Sequence, residues 1–218
     1  MHWQILVLNV FEGLACVTGL IYWHKLKHTY WKYFVVYLAI VFLLEVSGEY
    51  LLYGVQDLPA GMKLYRYGAI PVEFLFMYWL FYKYARQRQG DWVWPIVFAI
   101  GYLACLLIDI SFIEGKTKIV FDSFSYSIGN IFLLLLVLQF FIRFVKSDEL
   151  LHYRESNMFW VSLGILFFYV GSLPFYGIRN TLYHQYRDFF YVYWYIQYCL
   201  NYLMYTCFAI SFIWGRPK

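Results

Sequence analysis

Charge is what this sequence has least of. Only 14% of its 218 residues are Asp, Glu, Lys or Arg, against roughly 25% in an ordinary soluble domain. That scarcity excludes a water-solvated globule and makes lipid the main solvent of the folded chain. Proline is also rare, with five in all, so long helices can run with few interruptions. Cys16, Cys105, Cys199 and Cys207 all fall in apolar stretches, which leaves the polar connections no disulfide framework and gives no metal-type spacing. An Asn-X-Ser/Thr acceptor is missing, which favours a bacterial source. The polar connections are only about 8 to 14 residues long, too short for a soluble domain. The net charge of +4 is divided among them and reads as a topology signal, not as a nucleic-acid footprint.

What fills the chain is hydrophobic, 63% of residues, with 25% aromatic. Seven apolar runs cover residues 3–23, 33–54, 68–85, 92–113, 123–145, 156–178 and 190–214. Each approaches the roughly 20 residues that span a bilayer core at 1.5 Å per residue. The expectation is an all-α polytopic membrane protein, one seven-transmembrane-helix bundle over residues 1–218. The first run has no basic leader and reads as a retained helix. The third is the shortest, beginning near Pro71 and carrying Glu73.

Basic residues set the expected orientation. Lys25, Lys27, Lys32, Lys83, Arg86, Arg88, Arg143, Lys146, Arg154, Arg216 and Lys218 fall on one side, eleven in all. Lys63, Arg66, Lys116, Lys118, Arg179 and Arg187 make six on the other. The richer side stays cytoplasmic, so the N-terminus is expected outside and the C-terminus inside, in a bacterial inner (plasma) membrane. Pro59, Ala60 and Gly61, and then Gln89, Gly90 and Asp91, punctuate two connections. Pro95 falls in a first helical turn, where it is harmless, and Pro174 is expected to kink the sixth helix. No repeat relates the first three runs to the last three.

Acidic residues interrupt the apolar runs. A charge at membrane depth costs at least ~2.5 kcal/mol, yet Glu12, Glu45, Glu49, Glu73 and Asp109 lie in or near it. Residues three or four apart share a helix face. Asn9, Glu12, Cys16 and Gly19 form one such stripe. Others are Glu45 with Glu49, then Gly101, Cys105 and Asp109, then Ser123, Ser127 and Asn130, and finally Gln197 with Asn201. Most fall in the outer half, Gln139 being the main exception. The expectation is a polar, aromatic-lined pocket that opens outward. No Lys or Arg lies deep in any run, so one or more carboxyls is expected to hold a proton, bind a cation or accept hydrogen bonds.

Each candidate has a plainer alternative. Glu45 and Glu49 can serve as protonated interhelical hydrogen-bond partners, and Gln197 and Asn201 as helix bridges. Glu73 and Asp109 can be interfacial. The tyrosines at 191, 195, 198, 202 and 205 read as packing. His2, His24, His28, His152 and His184 lie in or beside connections and read as solvated, so no metal site is expected.

The familiar seven-helix chemistries find no residues here. The last run lacks the Lys of a retinal Schiff base, and no intramembrane His set exists for a zinc hydrolase. Gly-x-Ser-x-Gly is missing as well. In length, helix count and aromatic richness the chain resembles compact bacterial seven-helix sensory proteins, and that resemblance implies a receptor-like role beside a separate signalling protein. The reading is a non-enzymatic sensor or binding module without cofactor. Its expected ligand is small, cationic or protonatable, held by Glu12, Glu45, Glu49, Glu73, Asp109, Asn130, Gln197 and Asn201. A signalling partner would meet the cytoplasmic loops. The rivals are a proton- or cation-coupled transporter and, third, a carboxylate enzyme acting on lipid.

Overall fold

The computed structural model describes residues 2–88, 90–113 and 124–216. Its long helices are α1 (His2–Ile21), α2 (Lys32–Glu49), α3 (Ile70–Gln87), α4 (Val93–Ile108), α5 (Phe124–Val145), α6 (Asn157–Gln185) and α7 (Arg187–Trp214). No strand occurs among the described residues. A helix closes its backbone hydrogen bonds within one segment, as lipid demands. Six of the described helices are long and apolar enough to cross a membrane, and α3 is not among them.

The reason lies in what surrounds α3. It carries Glu73, Lys83 and Arg86, and none of its side chains from Ile70 to Ala85 is exposed. Phe74, Met77, Tyr78 and Leu80 are at most 1% exposed. A helix enclosed by other helices need not be apolar all round, which explains its low hydropathy. On the lipid side the opposite holds, with Leu43, Ile100 and Leu107 each 63% exposed.

Consecutive helices pack as neighbours, and α7 returns to α1 to close the ring, with α3 also touching α5. The α6–α7 pair is the most extensive. A Cβ on Gly164 would sit 3.0 Å from the Cys207 Cβ and 3.1 Å from the Met204 carbonyl, so only glycine permits that approach. Aromatic rings fill the centre. Tyr37 stacks on Phe76 at 4.1 Å, while Phe34 meets Phe76, Phe208 and Phe212. The Tyr78 hydroxyl donates to the Gly129 carbonyl at 2.8 Å.

The connections differ from expectation at the end holding the N-terminus. Ala60 and Gly61 do not keep the second connection irregular. They belong to a helix, Leu58–Leu64, whose first turn is capped by Asp57 accepting from the Ala60 N–H at 3.1 Å. π-helical turns Tyr50–Gly54 and Tyr65–Ala69 join this helix to α2 and α3, and a third, Asp109–Ile113, continues α4. α6 runs through Pro174 to Gln185, well past residue 178. Lys116, Lys118 and Ser123 lie outside the described residues. At the other end a 3₁₀ segment, Asp148–Glu155, precedes α6, which Ser156 caps by accepting from the Phe159 N–H.

Candidate functional site

Four glutamates gather inside the N-terminal half of the bundle. α1 contributes Glu12, α2 contributes Glu45 and Glu49, and α3 contributes Glu73. Glu12 lies within electrostatic reach of Glu45, Glu49 and Glu73, and Glu45 within reach of Glu73 and Glu49. Three of these four carboxyls thus act on the fourth, Glu12.

Tyrosines and one amide hold these groups. The Tyr169 hydroxyl of α6 donates to Glu73 Oε1 at 2.9 Å. Asn9 Nδ2, one turn before Glu12 on α1, donates to Glu49 Oε2 at 2.7 Å. The Tyr65 hydroxyl donates to the Glu45 carbonyl at 3.3 Å and also reaches its carboxyl. Tyr205 of α7 is within hydrogen-bonding reach of Glu12. Tyr37 stands among Glu73, Glu12 and Glu45. Buried phenols need partners, and here the partners are acids.

Local structure explains how Tyr65 gets there. It opens the π-turn before α3 and lies flat on Gly48, where a Cβ would come within 2.7 Å of its ring. Any larger residue at 48 would push that ring off Glu45. Glu12 is only 4% exposed, and its Oε2 has no hydrogen-bond partner among the described residues. Glu45, Glu49 and Glu73 are half-buried and keep some accessible surface.

The other expected residues stand elsewhere. Asp109 is fully buried, and its Oδ2 accepts from the Ser125 N–H at 2.8 Å, tying the end of α4 to the start of α5. Asn130, also fully buried, donates to Ser172 Oγ at 3.3 Å and joins α5 to α6. Gln197 is buried without a hydrogen-bond partner among the described residues, and Asn201 is half-buried on the same helix. No three His, Cys, Asp or Glu side chains among the described residues converge closely enough to ligate one metal ion.

Tyr37, Tyr65 and Tyr169 are not among the residues expected from sequence, and Tyr205, expected to pack, also reaches Glu12. For Tyr37, Tyr169 and Tyr205 the available signal is a tyrosine within an apolar run, where phenylalanine would serve lipid equally well; Tyr65 lies in a connection and offers no such signal. The sequence matches no known family model, no curated protein and no solved structure, so residue chemistry alone informs the functional reading.

Proposed function

We propose that this protein is a non-enzymatic membrane sensor or binding module, and that the Glu12–Glu45–Glu49–Glu73 cluster is its receiving site. The observation that carries this reading is the convergence of four carboxyls from three helices around tyrosines, with Glu45, Glu49 and Glu73 all acting on Glu12. Neighbouring acids in a low-dielectric interior cannot all ionise unless positive charge arrives. The cluster's geometry suits a proton or a small organic ammonium group better than a bare metal ion. In this reading all seven long helices cross the membrane, α3 as the enclosed one. The basic connections face the cytoplasm of a bacterial inner membrane, and the ligand arrives from the outside. A partner protein at the cytoplasmic loops provides output. Coupling requires that the ligand favour one of two conformations.

A transporter using the same glutamates is the second reading, prompted by the clefts that open at the far end of the bundle. Against it stands a layer between cluster and clefts. Met77, Leu80, Leu133, Val137 and Phe208 there are all at most 2% exposed.

The test follows melting of the purified protein across pH and a panel of amines. If folding keeps protons on the cluster, unfolding releases them, so stability falls as pH rises. Glu45→Gln and Glu73→Gln flatten that dependence. A binding amine raises the melting temperature with its concentration. A profile identical in wild type and both variants, with no response to any amine, overturns the reading. Proton-coupled uptake into proteoliposomes, lost in both variants, selects the transporter instead.

A further inference from the structure

Gln139 has no part in the acidic cluster. It lies toward the opposite end of α5, one turn before Arg143 and on the same face. Both line a slot of about 290 Å³ between α3, α4 and α5. The slot is amphipathic. Its deeper wall is Phe81, Leu136 and Phe140, and its rim bears Arg88 and Arg143. Arg143 pairs with Asp91, and Arg88 pairs with Glu149, which also accepts from the Tyr84 hydroxyl. Each arginine side chain is still 43% exposed, and its five donors are not used up by a single carboxylate. The arginines that line the slot are therefore positioned by these pairs and retain further donors.

The level of the slot in the membrane identifies its occupant. Trp92 and Trp94, 47% and 48% exposed, flank the first residue of α4 beside it, and Tyr82 meets Trp92 edge-on. Exposed tryptophans and tyrosines favour the headgroup level of a bilayer. A polar amide one turn below paired arginines, over an apolar floor, matches a molecule with a phosphate, then ester carbonyls, then hydrocarbon. A soluble anion would leave the phenylalanine and leucine wall uncovered. Asp91 and Glu149 also line the slot, so a phosphate there shares the two arginines with these carboxylates, and arginines between membrane helices are suited to anionic headgroups.

We propose that this slot binds the phosphodiester headgroup of an anionic phospholipid from the leaflet at this end of the bundle. Arg88 and Arg143 take the phosphate, and Gln139 takes an ester carbonyl. The lipid fastens α3, the helix that carries Glu73, to α4 and α5.

The test uses full-length protein in detergent, titrated with phosphatidylglycerol while retained lipid is counted by native mass spectrometry and melting is recorded. Parallel titrations use inorganic phosphate and glycerol 3-phosphate. The expected result is one retained lipid with a raised melting temperature, and retention weakened about fivefold by each of Arg88→Gln and Arg143→Gln. Gln139→Leu, which keeps the slot's shape and adds no charge, also weakens retention while leaving lipid-free melting unchanged. Equal lipid retention in all variants overturns the proposal. So does protection by glycerol 3-phosphate equal to that of the lipid, which would make the slot an aqueous anion site.

Discussion

The phenol–carboxyl pairs decide how this interior holds together. Tyr169→Phe removes a hydroxyl that donates to Glu73, and a buried acceptor left without its donor costs roughly 1–3 kcal/mol. Glu73→Gln keeps an acceptor oxygen for that hydroxyl and is expected to cost less. Denaturant unfolding in mixed micelles ranks the two, and the reverse order would mean that the hydrogen bond contributes little. The acids were legible in sequence because an apolar run makes every carboxyl conspicuous. Their partners were not. With 24 tyrosines in the chain, sequence spacing does not distinguish Tyr169 and Tyr205, which face acids, from Tyr33, which packs edge-on against Trp79. Asp109 was legible as an acid in or near an apolar run, but its full burial and its acceptance of the Ser125 N–H depend on where α4 meets α5, which sequence leaves open.

At the scale of elements, the α2–α3 hairpin sets the roof of the site. Gly48→Ala drives a methyl into the Tyr65 ring, and such overpacking costs typically about 1–3 kcal/mol. The variant is expected to melt lower and to lose part of the pH response, because Tyr65 no longer reaches Glu45. Gly13→Ala, whose Cβ would meet only the Phe42 ring at 3.7 Å, serves as the control with unchanged melting. Asp109→Ala removes an N-terminal hydrogen bond of α5 worth about 1 kcal/mol, visible as faster amide exchange at Ser125. Helix positions were largely legible because twenty-residue apolar runs have few alternatives in lipid. The π-turns and the Leu58–Leu64 helix were hidden, since Gly61 reads as a breaker until Leu52 is seen packed against it. The enclosure of α3 was also hidden, as hydropathy registers composition and not neighbours.

For the whole molecule, orientation and charge coupling are the properties at stake. In a cysteine-free background, Lys27→Cys is expected to react only with reagents admitted to the cytoplasmic side, and Asp57→Cys with reagents outside. The reverse pattern would invert the proposed direction of sensing. Membrane character was legible from composition alone, whereas the meeting of Glu12, Glu45, Glu49 and Glu73 requires the ring of helices to close. The most direct measurement of that meeting is an infrared titration of the carboxyl bands in wild type and Glu12→Gln. One shared environment predicts that removing Glu12 shifts the titration of the remaining glutamates. Bands for those glutamates that titrate identically in both proteins would contradict it.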